Sequence, residues 1–305
     1  MNIEKIDESS LGEKGDILVS SLRVKVENNS IRYGRRYCTD EEATWRLFFF
    51  HDIGEHSNRY ENVFIELLES FRALGAPAFE IVTFDFKGHG KSSGTRGHID
   101  SVDDLCLDSL IFLNEEGKKE LPTVIMGLGL GAIVSLKIYH HYFSKLQSDL
   151  SGLILINPAL KLHWKIPSLF EGVARGGSLL MSKLRLPFHL AGELFAGDTL
   201  IAEEFDSDPL VNHSISLGSL FELQHNASLM RTSAYYLDIP VFMGISEKGK
   251  LYSSRIAELF AKGIVNCKVE SFTQADHDLF HHFDCENLFN SVYNWLEDNK
   301  FFQKA

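Results

Sequence analysis

Three glycines alternate in the segment Gly127-Leu-Gly-Leu-Gly131, between a short apolar run, Thr123–Met126, and a helical pattern that begins at Ala132. A strand that turns this sharply into a helix projects its central residue above the sheet, where a serine can attack a carbonyl carbon. The central residue here is Gly129, which has no side-chain atom to act as a nucleophile. We therefore predict a turn with the shape of a nucleophile site but without its hydroxyl.

A histidine late in the chain is the candidate general base. His277 lies in the polar segment 272–280, and Asp52, Glu247 and Asp276 are carboxylates that could orient its imidazole to activate water. The alternative is a histidine with a structural role only.

Several further segments match one known family in a single collinear order. They are His51-Asp-Ile-Gly-Glu-His-Ser-Asn-Arg-Tyr60, Asp85-Phe-Lys-Gly-His-Gly-Lys-Ser-Ser-Gly94, Arg96-Gly-His-Ile-Asp-Ser-Val-Asp-Asp104, Gly152-Leu-Ile-Leu-Ile-Asn-Pro-Ala-Leu160 and Asp208-Pro-Leu-Val211. Over roughly 30–299 the chain resembles an α/β-hydrolase of the monoglyceride lipase and lysophospholipase type, among the serine aminopeptidase S33-type hydrolases. One motif matched by chance would not produce this collinearity.

The resemblance implies a catalytic triad with two positions vacant. It places the nucleophile at Gly129 and the acid at Gly249, whereas the histidine is retained as His277. Glu247, two residues before Gly249, is the best substitute acid.

The resemblance also implies an altered oxyanion hole. The amides of Ile53 and Leu130 are expected to bind the substrate oxygen, and Asp52 replaces the glycine beside Ile53. A carboxylate there opposes a second negative charge that develops a few ångströms away.

Two functions of different classes follow. The first is a pseudoenzyme whose inherited pocket binds an acyl chain, a small apolar molecule or a protein partner. The alternative is an active lipase or esterase in which His277 activates water directly. Neither function requires a cofactor.

Two other interpretations of the motifs are weaker. Gly127, Gly129 and Ala132 also fit a dinucleotide-binding turn, but the next strand ends at Asn157, where that turn requires an acid. His277 and His281 have the i, i+4 spacing of a metal pair, but the pattern predicts a polar surface helix with solvated histidines. No metal site is expected.

The elements that position these residues alternate along the chain. Apolar runs of strand length are Arg46–Phe50, Glu80–Phe84, Thr123–Met126, Gly152–Ile156 and Pro240–Met243, and helical patterns separate them, including Tyr60–Leu74 and Ser101–Leu113. This alternation predicts an α/β-hydrolase fold with a mostly parallel sheet flanked by helices, after an N-terminal hairpin, Leu18–Val26 and Ser30–Tyr37, that turns at Asn28-Asn29.

Residues 161–231 interrupt the alternation with helical patterns such as Leu179–Leu186 and no clear strand. We predict a helical cap inserted into a discontinuous core of residues 1–160 and 232–305, where it could shelter an apolar ligand.

Composition narrows the partners and the compartment. The 305 residues have a net charge of -12, which disfavours nucleic acid. The start of the chain has no secretory signal pattern, no apolar run is long enough to span a bilayer, and the four cysteines show no C-x-x-C pair. These features predict a cytoplasmic protein with reduced thiols.

Overall fold

A nine-stranded sheet organises the part of the chain that the structure describes. The computed structural model describes residues 4–26, 30–114, 121–147, 149–163, 182–185, 189–283 and 285–303. The strands are β1 (Glu4–Lys14), β2 (Ile17–Lys25), β3 (Ile31–Cys38), β4 (Trp45–Phe50), β5 (Phe79–Phe84), β6 (Pro122–Leu128), β7 (Asp149–Ile156), β8 (Val241–Ser246) and β9 (Cys267–Phe272).

The strand order is β1-β2-β3-β5-β4-β6-β7-β8-β9. Strands β1, β2, β3 and β5 pair antiparallel in that order. From β5 onward the neighbours β5-β4-β6-β7-β8-β9 all pair parallel. The predicted mostly parallel sheet and the N-terminal hairpin are confirmed, although the Asn28-Asn29 turn lies outside the described residues.

Helices cover both faces of the sheet. The α-helices of the described ranges are α1 (Glu61–Ala73), α2 (Val102–Leu113), α3 (Leu130–Lys137), α4 (Thr199–Ser207), α5 (Leu217–Met230), α6 (Ser254–Ala261) and α7 (Cys285–Asp298). Side chains of β4 alternate between the faces: Phe48 and Phe50 pack in the cluster with α2, α3, α5 and α6, and Leu47 and Phe49 pack with α1 and α7. Burial on both faces explains why this strand is apolar apart from Arg46, which pairs with the buried Glu80.

Helix α2 illustrates how the sequence sets an element boundary. Ser101 has extended backbone dihedrals, and its side chain accepts a hydrogen bond of 3.0 Å from the amide of Asp104. The helical pattern that the sequence predicted from Ser101 thus begins at an N-cap, where a serine side chain satisfies an amide that the first turn leaves unpaired.

Strands β1 and β9 were not predicted. In β9 the side chains from Cys267 to Ser271 are exposed or half-buried, so the strand lacks the apolar run that marks the inner strands. Both strands are the outermost of the sheet. Edge strands are buried less, and the sequence signal is correspondingly weaker.

The chain between β7 and β8 adds no strand to the sheet in its described residues, and it contains α4 and α5. Part of the predicted cap, including half of Leu179–Leu186, lies outside the described residues. The boundaries 161 and 231 therefore stay a prediction.

Candidate functional site

Gly129 forms the turn between β6 and α3. Its φ of 55° and ψ of -110° lie where side chains are strained. The flanking glycines are required by close packing, because a Cβ at Gly127 would lie 2.4 Å from the amide nitrogen of Ala132 and one at Gly131 would lie 2.2 Å from the carbonyl oxygen of Phe50. The sharp turn that the sequence predicted is present.

The carboxylate of Asp52 occupies the space directly above Gly129. A Cβ at position 129 would lie 2.1 Å from the carboxyl carbon of Asp52 and 2.2 Å from each carboxyl oxygen. Carbon atoms cannot approach so closely, so a side chain at residue 129 and this position of Asp52 exclude each other.

Four groups donate hydrogen bonds to the buried Asp52 side chain. The amides of Ile53 and Leu130 each lie 2.7 Å from Oδ1. The hydroxyl of Tyr252 is 2.9 Å from Oδ1 and 3.0 Å from Oδ2, and Nε2 of His277 is 2.9 Å from Oδ2. Asp52 thus accepts from both amides that the sequence assigned to an oxyanion hole. The sequence placed this carboxylate beside the amides, whereas the structure places it between them.

His277 is buried, with 1% of its surface exposed. Asn157, at the end of β7, holds its backbone: the Asn157 side chain donates to the His277 carbonyl oxygen at 2.6 Å and accepts from the Ser246 amide at 2.8 Å. The rings of Phe195 and Tyr252 pack edge-on against the imidazole at centroid distances of 5.6 and 5.2 Å. The ring is therefore held with Nε2 directed at Asp52.

Tyr252 is a site residue that sequence reasoning missed. It lies between β8 and α6, and burial together with the charge of Asp52 raises the pKa of its hydroxyl well above 10. The hydroxyl therefore stays protonated and donates to Asp52. No motif marks Tyr252, because its partner is 200 residues away in the sequence.

Gly249 lies beside the His277 loop. A Cβ there would be 3.8 Å from the His277 Cα and 3.0 Å from the buried Ser246 hydroxyl. The structure does not bring Glu247 to the imidazole, since this residue is exposed and the ring hydrogen-bonds Asp52. Asp276 is half-buried and lies against Gly197.

Buried polar contacts hold the loop that carries Asp52. Nδ1 of His51 donates to the Asp52 carbonyl oxygen at 2.7 Å, and its Nε2 accepts from the amide of Phe86 at 3.0 Å. Burial lowers the pKa of His51 to about 3, so the ring is neutral. The carboxylate of Asp85 accepts from the amide and hydroxyl of Ser57. The matched motifs at 51–60 and 85–94 thus act here as supports between loops.

The prediction of a polar surface helix around His277 is wrong. Residues 277–283 form turns, and Asp278 is buried with 2% of its surface exposed. His281 lies 2.7 Å from Asp278 through Nδ1 and 3.0 Å from the Arg59 carbonyl oxygen through Nε2. Burial alone would raise the pKa of Asp278, but His281 and Arg59 lower it to about 2. The polar pattern here reflects a buried ion network rather than solvent exposure.

A cavity of about 910 Å³ lies next to this network, outside the Asp52 site. Residues of α1, α4 and the 274–286 segment line it, among them the exposed Leu200 and Phe283. Asp52, His277 and Tyr252 are not among its lining residues.

Within the described ranges, no helix is long and apolar enough to cross a bilayer. No disulfide joins the four cysteines.

Comparison with known proteins identifies a family and several relatives of this chain. A family model described as serine aminopeptidase, S33, matches residues 41–284. The chain is 25% identical over 254 residues to an uncharacterized abhydrolase domain-containing protein of Dictyostelium discoideum, a match that covers 81% of this chain but only 26% of that protein. It is 22% identical over 253 residues to the monoacylglycerol lipase of Mycolicibacterium smegmatis, covering 81% of this chain and 85% of the lipase.

A solved structure shares the fold. The monoacylglycerol lipase of Paleococcus ferrophilus has a TM-score of 0.71 and 22% identity, covering 88% of this chain and 99% of that one. The family match over most of the chain, the parallel sheet and the glycine turn after β6 agree with one another. The chain belongs to the serine aminopeptidase S33 family of α/β-hydrolases and is similar to monoacylglycerol lipases.

Proposed function

We propose that this protein is a pseudoenzyme: an α/β-hydrolase that has lost ester hydrolysis and binds an acyl chain, a small apolar molecule or a protein partner. We further propose that residues 161–231 form a cap over the binding pocket. A cytoplasmic location fits the four cysteines, none of which forms a disulfide. Nucleic acid is not a proposed partner, because the net charge is -12.

One observation carries the proposal: the Asp52 carboxylate fills the space above Gly129 and accepts hydrogen bonds from the amides of Ile53 and Leu130. A substrate carbonyl oxygen would need the same two amides, and it would bring developing negative charge against a carboxylate. A nucleophilic side chain at residue 129 would need the same volume.

The orientation of His277 supports the same conclusion. Its Nε2 lies 2.9 Å from Oδ2 of Asp52, the carboxylate that fills the space above Gly129. A nitrogen engaged by that carboxylate is not placed to take a proton from a nucleophile at residue 129.

Restoring the family residues tests the loss of chemistry. The triple variant combines Asp52→Gly, Gly129→Ser and Gly249→Asp. It frees the amides of Ile53 and Leu130 from the Asp52 carboxylate, adds a hydroxyl at the turn and adds an acid beside the His277 loop. The matched control replaces Gly129→Ser by Gly129→Ala, which keeps the backbone demands and omits the hydroxyl. Turnover of monoacylglycerols and labelling by a fluorophosphonate probe are measured for both variants.

We expect no turnover or labelling in the natural protein and a gain in the serine variant over the alanine control. Removal of a triad serine costs on the order of 10⁶-fold in rate, so even a partial gain is measurable. Mass spectrometry of the purified natural protein then identifies any lipid that is bound. Turnover by the natural protein would contradict the proposal.

The alternative is an active carboxylic-ester hydrolase with catalytic groups centred on His277. The observation in its favour is the 2.9 Å contact between His277 and Asp52, since a carboxylate and an imidazole together can activate water. Hydrolysis of short p-nitrophenyl esters that His277→Ala abolishes would establish this alternative.

A further inference from the structure

Two imidazoles and a carboxylate converge in the region between β7 and β8, outside the Asp52 site. A ring nitrogen of His189, a ring nitrogen of His213 and a carboxylate oxygen of Asp206 all lie within 4.8 Å of one another. His189 and Asp206 are exposed and His213 is half-buried. The three residues are distant in sequence: Asp206 lies in helix α4, His213 lies in the loop between α4 and α5, and His189 precedes α4.

We propose that His189, Asp206 and His213 bind a divalent transition-metal ion, with zinc as the best-matched ion. Two nitrogen ligands and one oxygen ligand suit zinc, whereas magnesium and calcium prefer ligand sets made of oxygen alone. Three protein ligands leave the fourth position of a tetrahedral ion to water.

Neighbouring backbone groups orient two of the ligands. Nδ1 of His213 lies 3.0 Å from the carbonyl oxygen of Leu190 and 3.9 Å from Oδ1 of Asp206. A metal bound through Nε2 leaves the contact with Leu190 in place, whereas a metal bound through Nδ1 replaces it. The amide of Gly192 donates to Oδ1 of Asp206 at 2.8 Å. Protein zinc sites commonly hold their histidines and carboxylates with hydrogen bonds of this kind.

The cluster needs only small movements to close on an ion. Ligand atoms bound to tetrahedral zinc at about 2 Å lie about 3.3 Å apart, so the 4.8 Å separation must shrink by roughly 1.5 Å. The rings of His189 and His213 are stacked at 5.0 Å and 22°, and the exposed side chain of His189 can rotate by this amount. The negative charge of the chain favours a cation further.

The site is connected to the region of Asp52. The backbone amide of Asn212, next to His213, donates a hydrogen bond of 2.7 Å to the carbonyl oxygen of Gly54. Gly54 lies two residues after Asp52. The aromatic rings of Phe205 and Phe195 join His213 to His277 in successive contacts. Bound metal would therefore brace the segment that covers the Asp52 loop.

Zinc binding to the full chain, purified without a histidine tag and stripped with a chelator, tests the proposal. Zinc is titrated by calorimetry, and bound cobalt is followed by its visible absorption, which reports four-coordinate geometry. The variants are His189→Gln and His213→Ala, and the matched control is His225→Ala, because His225 is an exposed histidine of α5. His189→Gln also guards against misfolding, since its side chain is exposed.

We expect one zinc ion per chain, a thermal midpoint that rises by several degrees in excess zinc, and unchanged behaviour in His225→Ala. His189→Gln and His213→Ala should each weaken binding at least tenfold and remove the cobalt absorption. The proposal is overturned if the natural chain binds no zinc, or if His189→Gln binds it as tightly as the natural chain.

Discussion

At the scale of single residues, Gly129 and Asp52 depend on each other. Asp52 can reach the amides of Ile53 and Leu130 only because residue 129 has no Cβ, which would lie 2.1 Å from the carboxyl carbon. Conversely, without Asp52 those two amides and the Tyr252 hydroxyl would lack the acceptor that its carboxylate supplies. Buried donors without acceptors are costly, which gives the pairing a physical basis.

This dependence predicts a strongly coupled pair of substitutions. Gly129→Ala should lower the free energy of unfolding by ~2–6 kcal/mol, from about 1–3 kcal/mol of backbone strain and about 1–3 kcal/mol of overpacking. In the double variant with Asp52→Gly, the overpacking is relieved, so urea denaturation should show a loss at least ~1 kcal/mol smaller than the sum of the single losses.

Gly75→Ala is the matched control for this cycle. Its φ is 87°, yet an added Cβ meets nothing within 4 Å, so it reports strain without overlap. A Gly129→Ala variant that loses no more stability than Gly75→Ala would contradict the overlap.

At the scale of elements, Asn157 joins the ends of β7 and β8 to the His277 loop. Its side chain bonds the His277 carbonyl and the Ser246 amide, and its φ of 41° lies in the left-handed region. Asparagine tolerates this region better than most residues. The residue that argued against a dinucleotide turn in the sequence thus has a positioning role in the structure.

Asn157→Gly should lower the free energy of unfolding by ~1–4 kcal/mol. Glycine keeps the backbone conformation, so the loss comes from the two hydrogen bonds, one of which leaves a buried amide unpaired. Lys300→Gly is the control, because Lys300 also has a positive φ, 56°, and is exposed. Urea denaturation should show little loss for Lys300→Gly. Equal effects of the two substitutions would refute this role of Asn157.

The contact between the 277–283 turns and the Ser57–Tyr60 segment before α1 should depend on pH. Burial opposes protonation of His281, but Asp278 raises its pKa above the ordinary 6.5. The imidazolium contributes its full stabilisation below pH 6.5, and this contribution is lost as the pH rises through the folded pKa. The stability difference between the natural chain and His281→Gln should therefore shrink from pH 6 to pH 9.

Denaturant midpoints across that range measure the effect, with His225→Gln as an exposed control. The ionised Asp278 carboxylate responds to acid instead. Because its pKa is lowered to about 2, it stabilises the fold fully above pH 3.8, and this contribution is lost as the pH falls toward 2. A difference for His281→Gln that stays constant from pH 6 to pH 9 would argue against the ion pair.

At the scale of the whole molecule, charge limits the partners. With 42 acidic and 30 basic side chains, the protein should not be retained on heparin or double-stranded DNA columns. We expect this even at about 50 mM salt, because electrostatic binding to phosphates is stronger there than at physiological salt. Retention that is released by added salt would reveal a local basic surface that the net charge conceals.

The sequence alone determined the fold class, the five inner strands and the absence of a side chain at residue 129. These features depend on local information: apolar runs mark strands that are buried on both faces, and a glycine has no hydroxyl in any structure. Ser101 marked the start of α2 for the same reason, because its partner lies three residues away.

Only the tertiary structure decided which side chain fills the space above residue 129. The contacts of Asp52 with Leu130, Tyr252 and His277 span 78, 200 and 225 residues, and no periodic pattern encodes them. The burial of Asp278 and the convergence of His189, Asp206 and His213 were hidden for the same reason. Local sequence fixes backbone preferences, whereas packing of distant segments decides which side chains meet.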